Sequence, residues 1–147
     1  MTMTRATSRF HAKGRAARRG QGLVEGAMTL VIFLTLVFSV CEFGRAVWSY
    51  TMICHATREG SRYAAVHGSQ SGMTADTAKT NITSIVKNRA VGLTKSNISV
   101  TTTYLPNNTP GNSVKVAVTY PFKFVTPFRL PRNTLTLQST SQITITN

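Results

Sequence analysis

Apolar residues dominate one long stretch near the front of this chain and alternate with polar ones near its back. From Gly26 to Cys41 there is no charged residue, and Glu25 stands at the head of the run. With Gln21 to Val24 before it, the stretch is long enough to cross most of a bilayer, since a spanning helix needs about 20 residues. Residues 22–43 are apolar, and Glu42 and Arg45 then mark the far interface, with Trp48 and Tyr50 beyond them as aromatic anchors. Nothing breaks the helix there. Glu42–Arg45 and Glu59–Arg62 are both spaced as (i, i+3) pairs, and no proline occurs before Pro106. The pattern predicts one helix to about His67, stopped by Gly68-Ser-Gln-Ser-Gly72. At 1.5 Å per residue such a helix is roughly 70 Å long, and less than half of that fits in lipid. The emergent part has an apolar face of Ile53, Ala56, Tyr63 and Ala64 that needs a cover.

The cover is expected downstream. Thr74 to Leu93 places Ala78, Ile82, Ile85, Val86 and Ala90 at helical spacing, which predicts a short amphipathic helix. Three period-two segments follow. Ile98, Val100 and Thr102 alternate with Ser99 and Thr101; Val114, Val116, Val118 and Tyr120 alternate with Lys115, Ala117 and Thr119; Leu135, Leu137, Ile143 and Ile145 share one phase. These read as strands with one buried face. Pro106-Asn-Asn-Thr-Pro-Gly111 is a turn that makes the first two a hairpin, and Pro121 to Asn133, with three prolines, reads as a longer loop. The expected fold class is α+β: a long helix whose exposed half packs with a short helix and a small antiparallel sheet.

Charge changes the picture in one respect. Lys and Arg number 17 against 4 acids, for a net charge of +13. Arg5, Arg9, Lys13, Arg15, Arg18 and Arg19 all precede Gly20 with no acid among them. A basic cluster directly before an apolar span is explained by the positive-inside rule, so the charge reads as topology and no nucleic-acid partner is expected. Residues 1–19 lack apolar periodicity and read as a disordered cytoplasmic leader. Cys41 and Cys54 are 13 residues apart, about 20 Å along a continuous helix, too far for an intrachain disulfide. They read either as buried thiols or as partners in an intermolecular bridge.

Candidate chemistry is sparse. His55, Arg58, Glu59 and Arg62 cluster at helical spacing, but no set of residues has metal-ligand spacing, and the cluster reads as a solvated helix face. No nucleophile setting and no phosphate loop occurs, so no catalytic residue, cofactor, metal or small-molecule substrate is expected. The sequons at Asn81 and Asn97 are assigned no role. Glu25 is the exception: an ionisable group in lipid is costly and calls for a partner. On residue chemistry alone it is either paired with a cation in an assembly, or interfacial and snorkelling or protonated. Gly22 and Gly26 form a small-xxx-small pair that permits close helix approach, or occur there by chance.

At Arg18-Arg19-Gly20-Gln21-Gly22-Leu23-Val24-Glu25, and again from Glu42-Phe43-Gly44-Arg45-Ala46 through Ala56-Thr57-Arg58-Glu59-Gly60-Ser61-Arg62-Tyr63-Ala64-Ala65, the chain resembles the TadE-like minor pilins, or pseudopilins, of the tight-adherence (Flp) pilus. The resemblance implies a prepilin leader, residues 1–20, cut between Gly20 and Gln21 by a membrane prepilin peptidase. Glu25 then becomes the fifth residue of the mature chain and an assembly residue. Residues 21–45 would be the transmembrane part of the helix, 46–68 its exposed part and 69–147 a periplasmic head. Implied partners are the peptidase, other pilin and pseudopilin subunits, and the lipid of the inner membrane, with incorporation into an extracellular pilus as a further destination. One departure is Gly26, where that family usually has an aromatic residue. The competing reading is an unprocessed single-pass inner-membrane protein with a periplasmic binding or scaffold domain. A secreted protein is disfavoured, because the apolar run is too long and no Ala-x-Ala site follows it.

Overall fold

A computed structural model describes residues 11–125 and 134–147, with side chains from residue 20 onward. One helix, α1 (His11–Val66), is followed by α2 (Ala75–Arg89) and strands β1 (Ser99–Leu105), β2 (Ser113–Lys123) and β3 (Thr134–Thr144). The chain divides into two compact units, one ending at Cys41 and the other running from Glu42 to Asn147.

In the first unit every side chain from residue 20 to Cys41 is exposed but for a half-covered Thr35, and Leu23, Met28, Ile32, Phe33, Leu36 and Val40 point to all sides of α1. A helix that is apolar all round requires a non-aqueous surrounding. The polar side chains within it are satisfied locally: Thr29, Thr35 and Ser39 each donate to the carbonyl four residues earlier, at 2.7–2.9 Å. The helix was expected to begin after an irregular leader. Residues 11–19 are instead helical, in keeping with the strong helix formers Ala12, Ala16, Ala17, Arg18 and Arg19, while the rest of the leader lies outside the described residues.

In the second unit α1 becomes one-sided. Ile53, Ala56, Thr57, Gly60, Ser61, Ala64 and Ala65 are buried along one stripe, and all but the first are small. Small residues let α2 and the sheet approach the helix backbone closely. At Gly60 a Cβ would lie 2.6 Å from Val86 Cγ2 of α2. Ala78, Ile82 and Val86 of α2 and Val114, Val116 and Val118 of β2 complete the core over that stripe. The expected cover is therefore present, with Tyr63 partly buried beside it, but Ile85 is only half-buried and Leu135 and Ile143 of β3, expected on its buried face, remain exposed near the ends of the strand. Helix α2 starts at the Thr74 cap, whose hydroxyl accepts from the Thr77 N–H. It stops at Arg89, earlier than Leu93, because the chain turns through Gly92 (φ +78°), packed flat against Trp48 where a Cβ would strike the indole ring.

The sheet is an antiparallel meander in the order β1-β2-β3. Its registers are Val100↔Val118 and Val118↔Ser139 at the centre. The hairpin at residues 106–111 is as expected. The loop expected from Pro121 begins later, since β2 continues through Pro121, paired with Thr136, to Lys123. Pairing with β1 has stopped at Thr119, so Pro121 sits where β2 has a neighbour on one side only, and a proline is tolerated there. Residues 126–133 of that expected loop lie outside the described residues.

The far end of α1 is capped from the opposite end of the sequence. Thr146 donates its N–H (2.8 Å) and its hydroxyl (3.1 Å) to the Ala65 carbonyl, and Asn147 Nδ2 donates to the Val66 carbonyl. These are carbonyls that a helix end leaves without internal partners. Gly68 makes room for the crossing, since a Cβ there would clash with Asn147 and Ile145. On β1, burial raises the Tyr104 phenol above its usual range. Replacing Gly60 by valine forces α1 and α2 apart, with no flexible neighbour to yield. Gly60→Val is expected to lower the thermal midpoint of the second unit by roughly 5–15 °C, followed by ellipticity in detergent.

Candidate functional site

The five residues singled out by sequence all lie on α1 and all are exposed: Gly20, Gln21, Gly22, Glu25 and Gly26. Gly22, Glu25 and Gly26 come together with Thr29, Leu30 and Phe33 around one shallow depression on the helix flank. Its floor exists because two glycines leave the backbone bare. A Cβ at Gly20, Gly22 or Gly26 would meet nothing within 4 Å, so no packing inside the chain requires them to be glycine. Among the described residues no cation pairs with the Glu25 carboxylate. Gly20 and Gln21 lie within regular helix immediately before Gly22 and do not line the depression.

A second polar constellation was only half visible in the sequence. The Glu42–Arg45 pair forms as expected, at 2.8 Å. It does more than join two turns of α1. Arg45 Nη2 also donates to the Lys123 carbonyl at 2.6 Å, and its guanidinium lies over the Phe122 ring, 4.4 Å from the centroid. Glu42 Oε1 accepts the Val125 N–H at 3.2 Å. The pair thus clamps the end of β2 to the first turns of α1 in the second unit. Main-chain acceptors leave no trace in composition, so only the pair itself was legible.

The other expected ion pair does not form. Glu59 turns from Arg62 towards Arg89 of α2, 3.6 Å away, because α2 crosses α1 beside it. His55, Arg58 and Arg62 remain exposed, as a solvated face would. Cys41 is exposed and Cys54 half-buried, and both are free thiols. One turn before Cys54, the Tyr50 phenol is raised above its usual range, chiefly by its interaction with that thiol.

Helix α1, taken from Gly20 to Val66, is long and apolar enough to cross a membrane, with a mean hydropathy of 2.2 over its most apolar 18 residues. In the clamp, Glu42→Ala removes the acceptor of the Val125 amide. That amide is expected to exchange with deuterium roughly tenfold faster while amides of Val116 and Val118 keep their protection, as read by exchange mass spectrometry.

No curated protein and no solved structure matches the chain. Residues 20–62, which hold the bare-backbone depression, Glu25 and the clamp pair, match the family model described as TadE-like protein. Over that stretch the chain is similar to TadE-like proteins.

Proposed function

We propose that the chain is a minor pilin or pseudopilin of a tight-adherence pilus, a structural subunit rather than a catalyst. The observation that carries this reading is the placement of Gly20 five residues before Glu25 on a helix that is apolar on every side. A prepilin peptidase hydrolyses the Gly20–Gln21 bond. Water adds to the Gly20 carbonyl, leaving a Gly20 carboxylate on the leader and an ammonium group on Gln21. Proteolysis needs extended backbone, so the helix must open locally. Gly20 and Gly22 favour this, each disfavouring helix by about 1 kcal/mol relative to alanine.

The new α-amine has a reference pKa near 7.7–8 and carries a positive charge at neutral pH. In lipid it is the natural partner for a carboxylate. When subunits stack side by side, Glu25 of one meets the amine of its neighbour, and the pairing fixes axial register as a buried polar residue does in a coiled coil. The depression at Gly22 and Gly26 admits the neighbouring helix at close range. In this reading the basic leader stays cytoplasmic, residues 21–45 span the inner membrane and the head is periplasmic, from where the subunit takes part in pilus assembly and surface adhesion.

Co-expression with a cognate prepilin peptidase should yield a mature protein lacking residues 1–20 by intact mass. Gly20→Val should leave the chain uncut yet inserted. A mature chain starting at Met1 favours the unprocessed scaffold reading, and one starting at Cys41 contradicts both. A reporter active only in the periplasm, fused after Asn147, should be active, and an inactive one reverses the orientation.

A further inference from the structure

Three contacts from distant parts of the sequence reach the first turns of α1 within the second unit. Glu42 holds the Val125 amide, Arg45 holds the Lys123 carbonyl, and Trp48 packs on Gly92 in the turn after α2. Glu42 to Trp48 is about 9 Å of helix axis, so these segments meet α1 at nearly one level. That level carries a band of exposed apolar side chains. Phe43, Val47, Trp48 and Tyr50 are exposed on α1, and no large apolar residue of the helix is exposed again until Val66. Val91, next to Gly92, and Val125, just past β2, are 66% and 74% exposed. At the other end of the sheet Leu105 and Ile143 are also exposed, but they sit in adjacent rows and so on opposite faces.

The band also holds cations. A cleft of about 270 Å³ is lined by Arg45, Trp48, Thr94, Asn97, Phe122 and Lys123, and no acid lines it among the described residues. The acids of this unit are engaged elsewhere: Glu42 by Arg45 and the Val125 amide, Asp76 by Lys79, and Glu59 by Arg89. Lys123 makes no ion pair among the described residues. An exposed apolar band with unanswered cations suits a surface that is apolar beneath and anionic on top.

The chain supplies such a surface at this end. Cys41 closes the uncharged apolar run and is bonded to Glu42, so the Glu42 end of the second unit stays beside the lipid boundary at any angle between the two units. The polar layer of one leaflet is about 5–8 Å deep, close to the height of the band. We propose that the band seats the head on the bilayer: Val91 and Val125 enter the headgroup layer beside Trp48, and the phosphate of an anionic phospholipid lies in the cleft, facing Arg45 and Lys123. This rests on the membrane reading given above, and it adds downstream residues to the aromatic anchors of α1.

The test uses the full chain with Cys41→Ser and Cys54→Ser, reconstituted in vesicles of phosphatidylcholine and phosphatidylglycerol with a nitroxide-headgroup lipid in both leaflets. A fluorophore is attached in turn to Val91→Cys, Val125→Cys and Thr109→Cys, the last in the hairpin that touches Ser69 and Ile145. Quenching at positions 91 and 125 is expected to exceed that at 109 by roughly threefold or more. Adding Lys123→Glu to the Val125→Cys chain is expected to remove about half of its quenching with ellipticity unchanged, and to leave it unaltered in vesicles of phosphatidylcholine alone. Chain that floats with the vesicles but is quenched no more at 91 and 125 than at 109 would overturn the seat and leave the membrane reading intact. Full quenching of the Lys123→Glu chain in phosphatidylglycerol vesicles would overturn the headgroup site. Chain that fails to float with vesicles would overturn the membrane reading and the proposal with it.

Discussion

One helix has to satisfy two solvents. Up to Cys41, α1 offers apolar side chains in every direction and no intramolecular cover. From Glu42 onward it buries a single stripe, and its exposed side mixes polar and basic residues with Phe43, Val47, Trp48, Tyr50 and Val66. The features of the second unit follow from that change. A stripe of small residues, Ala56, Thr57, Gly60, Ser61 and Ala64, can be covered only by elements that come very close, and α2 and β2 do so with β-branched side chains. Branched residues pressed on a nearly bare helix backbone give tight packing with little side-chain entropy to lose.

The ends of this packed region are fixed by polar contacts that reach main-chain atoms. At one end Glu42 and Arg45 hold Lys123 and Val125; at the other Thr146 and Asn147 cap the last carbonyls of α1. Both ends of the covering sheet are therefore tied to the same helix. Charge pairs exposed as Arg45 is contribute little alone, but the stacking on Phe122 and the two main-chain bonds give this one directional value.

Much of the fold was legible in the sequence because its signals are periodic. The 3.6-residue stripe on α1, the spacing of Ala78, Ile82 and Val86, and the alternation in Val114 to Val118 each identify an element and its buried face. What escaped depends on where elements meet. Whether Glu59 pairs with Arg62 or Arg89 is decided by the crossing of α2, and whether Pro121 ends β2 is decided by where β1 stops. The helical state of residues 11–19 escaped for another reason: basic composition suggests a flexible leader, while the alanines and arginines in it are also strong helix formers. The candidate site was legible in its residues, Gly20 to Gly26, and in the resemblance they carry. The depression that Gly22 and Gly26 open beside Glu25 needed the structure.

The central claim is that Glu25 is a pairing group between subunits and not an interfacial carboxylate. The two differ in sign. A paired carboxylate lost from lipid strands its partner's charge, at a cost of several kcal/mol. An unpaired one is relieved by neutralisation. The decisive measurement is co-isolation of the other pilus subunits with wild type and with Glu25→Gln from membranes that also contain the peptidase. Pairing predicts normal insertion and cutting of Glu25→Gln with at least tenfold less partner recovered. Equal recovery would contradict it.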